Sequence, residues 1–146
     1  MVRTLPLLLF LACALVGAPA VRADCLDAAA EHYAISPVVL RAIAHAESGN
    51  DSGAWRRNRD GSLDVGRFQI NSSWWPTLGR FGLAPEVLWD PCASAFVAAW
   101  ILAQEVARFG WSWRAIGAYH TGAQTTPSTE KRRAHYAAHV ARHLGR

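Results

Sequence analysis

Apolar and polar residues alternate along most of this chain with helical spacing, and the pattern breaks in one place. Leu26 to Tyr33 reads as a short Ala-rich helix. Ser36 stands at an N-cap position and Pro37 at the first helical position, opening a second helix that runs to about Ser48 and stops at Gly49. Asp90-Pro91 repeats the start signal, and a long helix follows to Phe109 and Gly110. Phe96, Val97, Trp100, Ile101 and Leu102 make it apolar nearly all round, as expected of a buried central helix. Ser112 opens a short helix ending near Gly122, and Thr126-Pro127 opens a last one reaching about Leu144. Between residues 50 and 75 the helical period gives way to Asn50, Asp51, Ser52, Gly53, Asn58, Asp60-Gly61, Ser62 and Gly66. Asp-Gly is a hairpin-turn signal, so this stretch predicts a small β-hairpin or irregular lobe beside the helices, with a cleft between. The predicted class is α+β, mostly α, with no internal repeat.

The first residues belong to a different pattern. Met1-Val2-Arg3 precedes an apolar run from Leu5 to Val16, then Ala18-Pro19-Ala20 and Val21-Arg22-Ala23. A positive start, a short apolar core and small-residue sites describe a secretory signal peptide. The run is too short for a good membrane span. Cleavage after Ala23 assigns residues 1–23 to the signal and 24–146 to one domain. Leu11-Ala12-Cys13 as a lipid-attachment box, or the apolar run as an uncleaved anchor, are the competing readings of this segment. With Cys13 in the leader, the domain keeps Cys25 and Cys92, and an even pair in an exported protein implies a disulfide.

Composition narrows the function classes. At 51% hydrophobic, with seven tryptophans, the 146-residue chain is neither disordered nor low-complexity. Of its fifteen cations only Lys131 is a lysine, and eleven acids are interspersed among the arginines, which argues against a nucleic-acid-coating protein. Losing the two leader arginines lowers the formal charge from +4 to +2. A weakly basic surface suits an anionic polymer, and equally suits plain solubility.

One carboxylate stands out on position alone. Leu40, Ile43, Ala44 and Glu47 are spaced i, i+3, i+4 and i+7, which puts Glu47 on the core-facing stripe of the second helix, in its last turn. Burial and the negative end of the helix dipole both disfavour its ionisation. A general acid working near neutral pH requires that shift. An ordinary helix-end glutamate turned to solvent is the competing reading. His45 points to another face.

Asp60-Gly61-Ser62-Leu63-Asp64-Val65-Gly66-Arg67-Phe68-Gln69-Ile70-Asn71-Ser72-Ser73-Trp74-Trp75 resembles the active-site β-lobe of c-type lysozymes. Ala42-Ile43-Ala44-His45-Ala46-Glu47-Ser48 resembles the Glu-Ser motif of soluble lytic transglycosylases, and Gly66 to Asn71 resembles their G-x-x-Q-I-N motif. Ala118-Tyr119-His120-Thr121-Gly122 is similar to their A-Y-N-A-G motif, and Tyr136 to the tyrosine of their last helix. With Asp90-Pro91-Cys92 and the Cys25/Cys92 pair, the order is most similar to the small exported transglycosylases that accompany specialised secretion systems, the invasion-protein-like branch. The sequence departs from that pattern at Arg67, Phe68, His120 and Thr121.

The resemblance implies a lysozyme-like fold and a periplasmic enzyme acting on peptidoglycan glycan strands as a monomer, with secretion-system components as candidate partners and no nucleic acid. The implied reaction is cleavage of the β-1,4 bond between N-acetylmuramic acid and N-acetylglucosamine with a 1,6-anhydro product. A hydrolytic muramidase and a non-cleaving glycan-binding module are the alternatives. Glu47 would be the acid and Asp64, in the hairpin, the second carboxylate. Turn stabilisation is the competing role for Asp64, and the expected role of Asp51 and Asp60. Ser48, Gln69, Asn71, Tyr119, His120 and Tyr136 are the expected substrate-binding residues: the amides along the cleft, the tyrosines orienting Glu47, His120 touching sugar or Glu47 or simply packed. Trp74-Trp75 could stack on sugar, whereas Trp55, Trp89, Trp100, Trp111 and Trp113 are assigned to the core. His135, His139 and His143 recur every four residues on the last helix. They are read as a solvated row beside buried Tyr136, Val140 and Leu144, because no cysteine or carboxylate cluster completes a zinc site. No metal or cofactor is expected.

Overall fold

The computed structural model describes residues 25–145; the segment read as a signal peptide, with Cys13, lies outside the described residues. Among the described residues six α-helices stand beside a small sheet: α1 (Cys25–His32), α2 (Pro37–Ser48), α3 (Trp75–Arg80), α4 (Pro91–Phe109), α5 (Trp113–Thr121) and α6 (Pro127–Ala141), with 3₁₀ turns at Ser72–Trp74 and Pro85–Trp89. The strands β1 (Trp55–Arg57), β2 (Leu63–Val65) and β3 (Ile70–Asn71) form one antiparallel sheet in the order β1-β2-β3. The fold is therefore mostly helical with a small β-lobe, and the lobe has three strands rather than a single hairpin. Segment 76–89, for which the sequence predicted nothing, carries all of α3 but its first residue and the second 3₁₀ turn.

The predicted helix starts hold because their caps do. Asp90 Oδ1 accepts the Ala93 N–H at 2.7 Å, Ser112 Oγ accepts that of Ala115 at 3.2 Å, and Thr126 Oγ1 accepts that of Thr129 at 3.1 Å. Ser36 occupies the N-cap of α2, but its side chain makes no capping bond there, so Pro37 opens this helix without it. At the other end of α2, Gly49 adopts φ +68° and donates to His45 O, while Asn50 N–H donates to Ala44 O.

Helix α4 is the central element, and its Val97, Ala98, Ile101 and Leu102 are buried against the other helices. Cys25 is joined to Cys92, tying the start of α1 to the start of α4 across 67 residues. Helix α6 packs closely on α5 because Gly117 has no side chain: a Cβ there would lie 2.3 Å from Arg133 Cγ and 2.4 Å from Arg133 O. Arg133, 1% exposed, has its charge fully answered inside that joint. It donates to Gly122 O at 2.7 Å, Gln124 O at 2.8 Å and Thr121 Oγ1 at 3.2 Å, pairs with Glu130, and lies over the Phe109 ring.

Three expectations are corrected. Helix α6 ends at Ala141 rather than Leu144, and Leu144 is 39% exposed. Trp55, Trp89, Trp111 and Trp113 are surface residues, 42–64% exposed, and among the residues assigned to the core only Trp100 packs against it. The histidine row is not uniformly solvated. His135 is exposed, but His139 and His143 are half-buried, with His139 against Ala46 O at 3.2 Å and His143 stacked on His45. Helix α6 turns that row toward α2, against which it packs.

The Cys25–Cys92 loop sets the first expected outcome. Closing 67 residues restricts the unfolded chain, and by loop-closure entropy replacing both cysteines with serine should lower unfolding free energy by about 4 kcal/mol. Urea denaturation of the oxidised protein against the double variant measures it.

Candidate functional site

The cleft between the helices and the β-lobe is built around the end of α2. Glu47 lies in its last turn, where the helical spacing turns it inward, and it lines a cleft of about 530 Å³ together with Asp64, Arg56, Asn71, Tyr119 and His120. The Tyr136 hydroxyl donates to Glu47 Oε1 at 2.6 Å. Burial pushes the Glu47 carboxyl up to about 7, and the nearby Asp64 charge adds to this, while the Tyr136 bond and Arg56 oppose it. The inward position and the upward shift are those the spacing implied.

The turn that carries the β-lobe onto this helix is clamped from two sides. The Ser48 hydroxyl donates to Arg67 O at 2.8 Å and accepts the Asp51 N–H at 2.9 Å. From α5, the Tyr119 hydroxyl donates to Phe68 O at 3.0 Å. Within the turn, Gly66 has φ +75°, and a Cβ there would meet Leu88 O at 2.2 Å, so only glycine fits. Gln69 also adopts a left-handed φ of +46°, and its Nε2 donates back to Gly66 O at 2.9 Å. Arg67 is buried with its guanidinium on Asn50 Oδ1, and Phe68 is wholly buried. These two departures from the family pattern are therefore the anchor of the lobe.

Asp64 sits at the middle of β2, and the sheet register decides its environment. Its partner on β1 is Arg56 and its partner on β3 is Asn71. Arg56 Nη2 donates to Asp64 Oδ2 at 2.7 Å and Asn71 Nδ2 donates to Oδ1 at 2.8 Å. Burial works against ionisation, but the hydrogen bonds of Arg56, Asn71 and Asn58 outweigh it and hold the Asp64 carboxyl below its ordinary value. The cleft thus joins a carboxyl that titrates near neutrality to a carboxylate that is already charged there.

The other sequence-predicted residues divide into cleft wall and support. Gln69, Asn71, Tyr119 and His120 line the cleft, as does Trp74 but not Trp75. Ser48 and Tyr136 stand behind it, where they hold the turn and the acid. Asn71 has its amide committed, since Oδ1 also accepts the Ser73 N–H at 2.9 Å. His120 stacks on Tyr136 with ring centroids 4.7 Å apart, and burial lowers its basicity. Burial, reinforced by Glu47, also holds the phenols of Tyr119 and Tyr136 far above their ordinary value, so both remain donors. Asp51 and Asp60 are turn residues as expected, accepting the N–H groups of Gly53 and Ser62.

Besides Arg132 on α6, two charged residues of the wall escaped the sequence reading. Arg56 is one; its signal was the i, i+8 relation to Asp64 across a hairpin, legible only once the register is known. Glu105 on α4 is the other, a buried carboxyl at the cleft whose Oε2 accepts from Arg108 at 3.2 Å. Its signal was a lone acid on a nearly all-apolar helix. Among the described residues no group of three metal-ligating side chains occurs.

Comparison with known proteins agrees with this geometry. Residues 24–141 match the transglycosylase SLT domain family. Invasion protein IagB of Salmonella typhimurium is 41% identical over 116 residues, covering 79% of this chain and 71% of that protein. Protein IpgF of Shigella flexneri is 40% identical over 122 residues, 83% of this chain and 79% of its own. X polypeptide of Escherichia coli K12 is 38% identical over 120 residues, 82% and 71%.

The opposed influences on Glu47 can be separated in solution. The Tyr136 bond favours the charged form, so Tyr136→Phe should raise the Glu47 pKa above its value of about 7. Carboxyl-carbon NMR titration of the two proteins reads the shift directly; an unchanged or lowered value would contradict the assignment.

Proposed function

The chain belongs to the transglycosylase SLT domain family and is a peptidoglycan lytic transglycosylase, and from that premise we propose that it cuts the β-1,4 bond between N-acetylmuramic acid and N-acetylglucosamine with Glu47 as the single acid and base. The observation that carries this reading is the buried, Tyr136-bonded carboxyl of Glu47 facing the ionised Asp64. Protonated Glu47 donates to the leaving glycosidic oxygen as the bond to C1 breaks. The muramyl C1 then carries oxocarbenium character, which Asp64 stabilises as a fixed negative charge. The sugar's own 6-hydroxyl closes on C1 and gives its proton to the Glu47 carboxylate, restoring the acid and leaving a 1,6-anhydro end. Arg56 and Asn71 hold Asp64 in register and in its charged form.

Gln69 and Asn71 sit along the wall where acetamido groups pass. Asn71 holds Asp64 as well, so its contact with substrate is through the side of an amide already oriented. Trp74 offers a ring face to sugar C–H groups. A hydrolytic muramidase is the second reading, favoured by Asp64 itself, because an ionised second carboxylate can also assist water.

The leader-like segment and the Cys25–Cys92 bridge support export to the periplasm, an oxidising compartment where the bridge persists. One relative is named an invasion protein. The proposal extends to local opening of the wall, by a monomer, for assembly of a secretion apparatus whose components recruit it.

Glu47→Gln keeps the volume and removes the proton. Release of soluble muropeptides from purified sacculi should then fall by at least about 10²-fold at unchanged fold. In the wild type, turnover should decline as pH rises past about 7, where Glu47 loses its proton. It should decline again at acid pH, where Asp64 gains one. Near-wild-type turnover by Glu47→Gln would sink the assignment.

Asp64→Asn keeps the hydrogen-bonding shape and removes the charge, and should cost about 10²-fold or more in the same assay. Wild-type products should be one water lighter than hydrolysed muropeptides by mass spectrometry. Full activity in Asp64→Asn would return Asp64 to a purely structural role, and reducing-end products from the wild type would make the enzyme a muramidase.

A further inference from the structure

Glu105 is a buried carboxyl of the cleft that the proposed reaction leaves idle. It is 5% exposed and stands on α4 one turn beyond Ile101, which lines the same wall. Ala98, Ile101 and Leu102 are buried apolar side chains of the same helix, so an apolar residue would continue the pattern here. Both Glu105 oxygens instead share one nitrogen, Arg108 Nη1, at 3.3 and 3.2 Å. A carboxylate has about four acceptor positions, and one nitrogen leaves most of them unused. Arg133, the other cation near it, directs its nitrogens to Thr121, Glu130, Gly122 and Gln124. Burial pushes the Glu105 carboxyl above its ordinary value, and Arg108 and Arg133 do not cancel the shift. The Arg108 side chain is half in solvent, and a pair of that kind contributes little. The ion pair therefore does not account for the burial of this carboxyl, whose unused acceptors stand at the wall of a glycan cleft.

The other acceptors of the cleft are already engaged. Glu47 is bonded by Tyr136, Asp64 by Arg56 and Asn71, and the Tyr119 hydroxyl is committed to Phe68 O. Ile101 and Ala118 on the same wall are apolar. The two sugars of the strand differ in what they could give to a free carboxylate. N-acetylglucosamine has a hydroxyl at its 3-position, which donates. N-acetylmuramic acid has an ether at that oxygen, which does not, and the acyl group on it leads to further carboxylates. Resting on the reaction proposed above, we propose that Glu105 is a substrate-binding residue that accepts the 3-hydroxyl of an N-acetylglucosamine unit in the cleft. A charged acceptor makes that bond stronger than a neutral one would. A muramyl unit in the same place would leave the buried carboxylate without its donor. Because the two sugars alternate, holding N-acetylglucosamine at this wall selects one register of the strand, the one that brings a muramyl C1 to Glu47.

Chitotriose, three linked N-acetylglucosamine units with no muramyl bond, probes the contact by calorimetry without the reaction. Glu105→Leu should bind it about tenfold more weakly than wild type, and Glu105→Gln, which keeps one acceptor, about threefold. On glycan strands KM should rise by similar factors with kcat within about twofold. Neither variant should melt below wild type, because the partner left behind, Arg108, is half in solvent. Chitotriose methylated on its 3-oxygens lacks the donor, and wild type and Glu105→Leu should bind it alike. Affinities for chitotriose within about twofold of wild type in both variants would overturn the proposal. So would weaker binding matched by a lower melting temperature in both, a difference between wild type and Glu105→Leu that survives methylation, or a wild type with no measurable affinity for chitotriose. A wild type that binds chitotriose through Glu105 but releases no anhydro-muropeptides from sacculi would overturn the reaction and leave the contact standing.

Discussion

The 2.6 Å hydrogen bond from Tyr136 to Glu47 joins residues 89 apart in sequence, and the rest of the molecule is arranged so that it can form in a buried place. Two opposed demands meet there. Burial favours the protonated carboxyl, while the phenol donor favours the charged one. Their balance leaves Glu47 able to give a proton and to take one back near neutral pH. Meeting both demands requires α6 to lie close to α2. That in turn needs α6 seated on α5, where Gly117 admits the Arg133 backbone and Arg133 satisfies the carbonyls that end α5. A buried arginine with all three of its nitrogens bonded is tolerable in a way that an unpaired one is not.

The β-lobe solves the complementary problem of presenting a charge that stays a charge. Asp64 is nearly as buried as the core, yet it is flanked on both neighbouring strands by donors placed by register alone. The lobe is then fixed to the helices through backbone carbonyls of one turn, taken by Ser48 from α2 and by Tyr119 from α5. The two clamping residues therefore fix the relative position of the two carboxyl groups, Ser48 from behind the cleft and Tyr119 from its wall. The left-handed Gly66 and Gln69 are the conformational cost of so sharp a turn, and the amide of Gln69 offsets part of it from within.

Arginine does most of the electrostatic work in this chain, and in different ways. Arg56 stays largely in solvent and steers a carboxylate; Arg67 and Arg133 are buried and organise backbone and amide oxygens. The planar, multi-donor guanidinium suits all three settings. The sole lysine, Lys131, stands instead on the exposed side of α6, where a flexible point charge meets solvent.

Local signals in the sequence determined the helices and one member of the site. Capping residues and 3.6-residue periodicity located α1, α2, α4, α5 and α6 to within a few residues, and the same periodicity put Glu47 on the inward face of α2. Turn residues marked the lobe, and the even cysteine pair implied the bridge. What periodicity could not carry was anything set by contacts between distant segments. The exposure of Trp55, Trp89, Trp111 and Trp113 depends on which helix faces are covered, and the half-burial of His139 and His143 on how α6 meets α2. Arg56 became visible only through a strand register, and Arg133 only through a helix joint that one glycine permits. The side chains of the site were therefore mostly legible as candidates, because their chemistry is written in their types. Which of them face the cleft and which stand behind it was decided by packing, because hydrogen-bond partners 51 and 89 residues away are chosen by the fold and not by their neighbours in the chain.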